Sequence, residues 1–497
     1  MVDHVACVPH APPVEIAREE PDAGGPTTAP PEFALTSDTG KWILASTILG
    51  SMLVMLDGSI VNVALPSIGQ HLHADFAGLQ WVLTGYLLTL ASFILVGGSL
   101  GDHLGRRRVF LIGVVWFAAA SALCGLAPNI AVLTIGRVVQ GIGGALLTPA
   151  SLAILQTVIR PEDRARAIGA WSGLTGIGAA IGPFLGGWLV QSYSWRWIFL
   201  VNVPLATVVV AVTLRWVPQV KGRDAAAQGM SRIASLDPPG VGLCVTALAV
   251  ATFGLIRQSV PIAVVGAALL GFFLWRELRA PEPMLPLSIF RSRQFTAVNV
   301  VTLGLYAALN MLLFVLVLVL QDSLGYSPLE AGAATVPITV LMLLGSARAG
   351  ALAQRIGPRW PMALGCALVG VGLLLLVRVE PGRSWQGAVL PGVFVIGLGL
   401  TLTVAPLTAT AMASVAGAHA GVASGVNNAV SRGAGLFAVA VVPLIGGFDP
   451  HRALAAATLL RGFHRVMAAA ALMSVLCAVA SALLIRSDAL RAEPPAT

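Results

Sequence analysis

The sequence is poor in charge. Only 10% of its 497 residues are Asp, Glu, Lys or Arg, and its mean hydropathy is +0.85, whereas about 25% charged residues is usual for a soluble domain. A surface so short of ionic groups cannot be solvated by water. That excludes a water-soluble enzyme and the string of soluble domains that length alone invites at roughly 150 residues each. Lysine is nearly absent, with 2 among the 30 basic residues, a bias expected of a GC-rich genome. The five cysteines, Cys7, Cys124, Cys244, Cys366 and Cys477, are isolated and form neither a disulfide framework nor a CxxC pair. There is no Walker A sequence, no HExxH pair and no histidine in the middle of an apolar run. Neither metal, nor cofactor, nor direct ATP drive is therefore expected. Disorder and collagen are excluded for the bulk of the chain, because most of its 54 Gly lie inside apolar runs and follow no G-X-Y period.

What the chain does have is hydrophobic length. Residues 1–41 read as a disordered cytoplasmic tail without the apolar core of a signal peptide. Apolar runs follow near 42–65, 81–101, 109–127, 130–155, 167–190 and 198–216, then 238–256 and 261–277, then 295–320, 329–352, 360–378, 387–412, 420–447 and 464–486. Each can cross about 30 Å of hydrocarbon as a helix. The fold class expected is all-α integral membrane with fourteen transmembrane helices. The divisions are a six-helix bundle at 42–216, a linker with two extra spans at 217–294, a second six-helix bundle at 295–486 and a short tail at 487–497. With both termini cytoplasmic, 21 Lys and Arg fall in cytoplasmic segments and seven in outer loops, as the positive-inside rule requires. Only Arg137 and Arg432 remain, both inside spans. The net charge of +8 is thereby accounted for by loops, and no nucleic-acid partner is expected. Eight of the eleven tryptophans, among them Trp42, Trp195, Trp216 and Trp360, fall near span ends, where interfacial anchors belong.

An internal repeat is visible at an offset of 252 residues. Gly98, Leu100, Gly105 and Arg107 recur as Gly350, Leu352, Gly357 and Arg359, and Gly169, Ser172 and Gly173 recur as Gly421, Ser424 and Gly425. The shift pairs the second span with the tenth and the fifth with the thirteenth. Two parallel halves meeting at a midplane site are a transporter architecture.

Two buried charges draw attention. Asp57 is the one carboxylate deep in a span, about fifteen residues beyond Trp42, where an ionised side chain costs roughly 2.5–3.5 kcal/mol. Binding a proton removes that cost, so such an acid suits coupling to a proton gradient; a structural Asp bonded within the bundle is the competing reading. Arg137 reads either as its partner in proton transfer or as a brace bonded to backbone carbonyls. Arg432, near Asn427 and Asn428, reads as a structural polar contact. Asn62, Gln140, Tyr306 and Asn310 are candidate cavity residues, and Asn299 is another. Gly178, Gly182 and Gly186 recur every four residues beside Pro183, which suits either generic close packing or a hinge. Gly97–Gly101 fits G-x-S-x-G and Gly433–Ala438 a loose dinucleotide fingerprint, but both lie in apolar helices without a preceding strand.

The turn Gly98-Ser99-Leu100-Gly101-Asp102-His103-Leu104-Gly105-Arg106-Arg107-Arg108 resembles the signature loop of the major facilitator superfamily, G-x-L-x-D-x-x-G-R-[KR]-[KR], in full. Leu133 to Ala145, with Arg137, Gln140 and Gly141, resembles that superfamily's fourth-span motif, and Gly178 to Gly187 its fifth-span antiporter motif. With Leu56-Asp57 to Pro66 and Trp195-Arg196-Trp197 to Asn202 and Pro204, the chain is similar to the fourteen-span drug:proton antiporter family over roughly 42–485. The resemblance implies a proton-driven exporter of hydrophobic or amphipathic small molecules, embedded in lipid of the plasma membrane, or a narrower transporter of one natural metabolite. It also implies a latch formed by Gly98, Asp102, Gly105 and Arg106, and a hinge at Gly178, Gly182, Pro183 and Gly186. Gly58-Ser59 departs from the family, where two bulkier hydroxyl residues are common, and Gln354 replaces the acid in the second-half loop.

Overall fold

The computed structural model describes residues 32–219, 237–280, 283, 285, 287–415, 420–449 and 455–490, the side chains at 102, 103, 165 and 420–422 excepted. The tail as far as residue 31, the linker at Lys221, Arg223 and Asp224, and the last seven residues lie outside it. Among the described residues fourteen helices are long and apolar enough to span a bilayer. They are α1 (Asp38–Leu72), α2 (Phe76–Gly101), α3 (Arg106–Gly125), α4 (Ile130–Val158), α5 (Pro161–Ser192), α6 (Trp197–Trp216), α7 (Pro238–Ile256), α8 (Val260–Glu277), α9 (Arg293–Ser323), α10 (Pro328–Ile356), α11 (Arg359–Leu376), α12 (Leu390–Ala413), α13 (Ala423–Gly446) and α14 (Ala456–Leu484). The chain is a multi-pass membrane protein.

Local chemistry sets the helix starts. Asp75 accepts from the Gly78 amide at 2.8 Å, Asn129 from Val132 at 3.0 Å and Ser292 from Phe295 at 3.3 Å, each satisfying an orphan donor of a first turn. Some helices overrun the apolar runs. α1 continues through Pro66 to Leu72, since proline is tolerated in membrane helices whose neighbours satisfy the freed carbonyl. α14 begins eight residues before the expected position 464. The added turns are packed: Leu459 and Phe463 are buried, Gly462 fits against Phe448, and Arg461 donates to the Thr458 hydroxyl at 3.4 Å within the helix. Trp195 is not an interfacial anchor. It is buried, with its ring edge-on to Phe199 and the Arg196 guanidinium 4.5 Å above it.

The helix pairings repeat. In the first half α2 packs on α4, α3 on α4, α1 on α5 and α6, and α3 on α6. In the second half α10 packs on α12, α11 on α12, α9 on α13 and α14, and α11 on α14, the same scheme shifted by eight spans. Gly105 and Gly357, matched in the repeat, both take a left-handed φ, 94° and 90°, at the turn between two helices. Only glycine adopts that conformation without strain. The halves meet along two seams, α2 with α13 and α5 with α10, which exchange under the same shift.

The two seams differ along their length. At the far end, which carries the α1–α2 and α9–α10 turns, both are shut. Gln80 donates to the Val439 carbonyl at 2.5 Å, Gln321 to that of Val63 at 2.9 Å, and Phe76 packs 5.4 Å from both Phe314 and Phe448. Gly187 fits against Pro328 and Leu329 at 2.5–2.7 Å of an added Cβ. At the near end, which carries the α2–α3 turn, Leu95 still packs on Gly425. On α5, however, a Cβ at Gly169, Gly173 or Gly176 would face open space. The central space therefore opens toward the near end along the α5–α10 seam.

The inserted hairpin, α7 and α8, lies on the other seam, where α7 touches both α2 and α13. Arg276 grips the α7 cap, Asp237, with two bonds of 2.5 and 2.6 Å, and this pairing holds the Asp237 carboxyl below its ordinary range. Gln258 at the hairpin turn donates to the Phe448 carbonyl at 3.0 Å.

Candidate functional site: a buried ion pair beside the central space

Asp57 is fully buried midway along α1. One carboxylate oxygen accepts from Arg137 Nη1 of α4 at 2.5 Å, and the other from Gln140 Nε2 at 2.9 Å and Asn202 Nδ2 of α6 at 3.2 Å. Arg137 and Gln140 lie one helical turn apart, so α4 presents both to the same carboxylate. The pair is braced from behind. Arg137 Nε donates to the Val82 carbonyl at 3.0 Å and its Nη1 to Gln140 Oε1 at 2.7 Å. Ser121 of α3 accepts from Gln140 at 3.1 Å and Asn202 at 3.0 Å while donating to the Phe199 carbonyl at 2.9 Å. The guanidinium carbon lies 4.2 Å from the Tyr86 ring centroid, a cation–π contact. Five helices of the first half, α1, α2, α3, α4 and α6, thus surround one charge pair, and among the described residues no second-half side chain bonds to it.

This arrangement sorts the sequence candidates. Asp57 and Arg137 are brought together. Gln140, expected in the cavity, is fully buried and serves as a ligand of the carboxylate. Asn62 lies on the partly exposed face of α1 with Met55, Gly58 and Ser59, and a Cβ at Gly58 would meet nothing within 4 Å. Tyr306 and Asn310 are half-buried on α9, with the Asn310 amide against Gly435 of α13 at 3.0 Å of an added Cβ. Among the described residues Arg432 makes a contact that crosses to the first half, with Nη2 3.7 Å from Met55 Sδ. Asn427 and Asn299 bond to one another at 3.1 Å, inside the second bundle. Asn202, Ser121 and Tyr86 carry roles that no sequence feature assigned.

The glycine stripe has a definite partner. Gly178, Gly182 and Gly186 face α1, where an added Cβ would stand 3.2, 3.2 and 3.0 Å from the carbonyl oxygens of Met52, Leu56 and Ile60. Pro183 turns its carbonyl toward Gly332 of α10, so one stretch of α5 is wedged between α1 and α10. Of the expected latch, Arg106 donates to the Ala153 carbonyl at 2.8 Å and to the Thr157 hydroxyl, tying the α2–α3 turn to α4. Gly98 has room, its nearest neighbour being Pro149 at 3.8 Å of an added Cβ. The Asp102 side chain lies outside the described residues.

The profile of the Major Facilitator Superfamily matches residues 47–440. The chain belongs to this superfamily. That membership makes it a membrane transporter and not an enzyme. Among relatives, the Tetracenomycin C resistance and export protein of Streptomyces glaucescens is 34% identical over 411 residues, 81% of this chain and 75% of that one. The multidrug resistance protein Stp of Mycobacterium tuberculosis is 36% identical over 399 residues, 78% of this chain and 72% of that one. The D-xylose-proton symporter shares the fold at a TM-score of 0.64 and 16% identity, over 90% of this chain and 98% of that one.

Proposed function

We propose that this major facilitator chain exports hydrophobic or amphipathic small molecules in exchange for protons, by alternating access between two six-helix bundles, residues 42–216 and 295–486. Relatives named for antibiotic resistance and export, and others for multidrug resistance, support the substrate class. The coupling rests on one observation, the buried Asp57–Arg137 pair at 2.5 Å with its amide ligands Gln140 and Asn202. A proton bound at Asp57 leaves a neutral acid and an unmatched guanidinium held by Tyr86 and the Val82 carbonyl. The two protonation states therefore favour different packings of α1 and α4, and differential affinity of the two conformations for a proton is what couples a gradient to motion. The positive-inside count puts the near end, with both termini, in the cytoplasm, which makes the conformation described here the one that loads substrate. One proton falling through one pH unit and 100 mV releases about 3.7 kcal/mol, enough for a gradient of about 500-fold in a neutral substrate.

The test is substrate movement in reconstituted vesicles with and without an imposed pH gradient. Asp57→Asn keeps the amide contacts but removes the ionisable group; it should abolish gradient-driven movement while the protein stays folded. Asp57→Glu should retain gradient-dependent movement at a lower rate. Full gradient-driven export by Asp57→Asn would reject the coupling role.

A further inference from the structure

Arg432 lies near the middle of α13, Ala423–Gly446. Its charge is permanent. Among the described residues no carboxylate forms an ion pair with it, its Nε is buried without a hydrogen-bond partner, and its Nη2 meets only a thioether. By contrast Asp57, the deep carboxylate, is already neutralised by Arg137. An intramembrane charge normally pairs with a counter-charge or faces a wet cavity, and the partly exposed Arg432 is, among the described residues, an unmatched cation.

The surroundings define the position. Arg432 bridges from the second half to Met55 in the first, on the face of α1 where Gly58 looks into open space. Asn62, Asn310 and Asn428 turn their amide N–H groups back to carbonyls of their own helices, at 3.3, 2.8 and 3.0 Å. Arg432 is therefore the cationic donor at this level of the cavity.

We infer that Arg432 is the anion subsite of the transport cavity, and that the molecules carried best are amphipathic compounds bearing a carboxylate or an ionised phenol. The inference rests on the exporter reading above and refines its substrate class. A planar guanidinium holds such a group through two parallel charge-assisted bonds, while Met55 and Tyr306 offer apolar surface to the rest of the molecule. A lipophilic cation meets like charge with no acid to offset it and is disfavoured.

Three probes with one fluorophore and one tether length separate the cases: pyrenebutyrate, pyrenebutanol and pyrenebutylamine, bound to the full chain in zwitterionic-lipid nanodiscs and corrected against empty discs. Pyrenebutyrate should bind about tenfold or more tighter than pyrenebutylamine. Arg432→Gln should remove that preference while weakening pyrenebutanol binding far less than pyrenebutyrate binding, and Arg432→Lys should keep most of it. Equal binding of acid and amine by the unaltered protein overturns the inference without any variant, as does a loss of all three probes in Arg432→Gln while Arg432→Lys behaves as wild type for all but the acid. Gradient-driven movement of pyrenebutanol in vesicles reports separately on the exporter reading. If it persists while the charge preference is missing, only the Arg432 subsite fails; if it is absent while the preference holds, only proton-driven export fails.

Discussion

Tyr86 covers the Arg137 guanidinium with its ring, yet its hydroxyl is buried and finds no hydrogen-bond partner among the described residues. A buried hydroxyl without a partner is a net loss to stability, so Tyr86→Phe should melt at the same temperature or higher in detergent. A clearly lower melting temperature would show that the hydroxyl has a partner in the folded state. Charge made the core of this site readable in advance. Asp57 and Arg137 stand out because ionised groups are rare within apolar runs. Uncharged polar residues were not sorted in the same way: Gln140 and Asn62 look alike in sequence, but one is sealed into the ion pair and the other faces open space. Ser121 gave no signal at all, because a serine in a membrane helix more often bonds its own backbone. It becomes a ligand bridge only where α3 brings it against α4 and α6. Arg432 was legible as a buried charge but not as an unmatched one, since matching is a property of three-dimensional neighbours.

Helices show where spacing carries meaning. The four-residue glycine period on α5 announced a close approach, and the approach is to α1, the helix that carries Asp57. A side chain at Gly182 meets Ser59 and the Leu56 carbonyl one turn from that acid. Gly182→Leu should therefore stop export while the protein remains in the membrane; unimpaired export would show that α5 and α1 can part freely. The α7–α8 hairpin gives a pH-dependent prediction. Because Arg276 depresses the Asp237 acid, the pair stabilises the fold fully above the unfolded carboxyl value of about 3.9 and loses that effect as pH falls through the lower folded value. Asp237→Asn should melt below wild type at pH 7, and the difference should vanish in strong acid. Melting curves that stay equally separated at all pH values would contradict this. Helix ends were the least legible feature, as at α14, whose first two turns are held by the packing of Leu459, Gly462 and Phe463.

For the whole molecule, span number and the repeat were readable because each depends on long stretches of sequence, fourteen apolar runs and one offset. The state of the two seams was not, since the same residues must serve both open and closed arrangements. Leu329 N lies 3.3 Å from Gln191 Oε1 across the shut far end of the α5–α10 seam. A Gln191→Cys, Leu329→Cys double variant should cross-link under mild oxidation and stop export, with activity restored on reduction. Cross-linking that leaves export intact would mean this seam never parts. The α2–α13 seam is different in kind: it touches at both ends and is covered along its outside by the hairpin, which grips the Phe448 carbonyl through Gln258. The molecule consequently resembles a door hung on one jamb. Its free edge is the α5–α10 side, so the gap lies on one flank of an otherwise two-fold design.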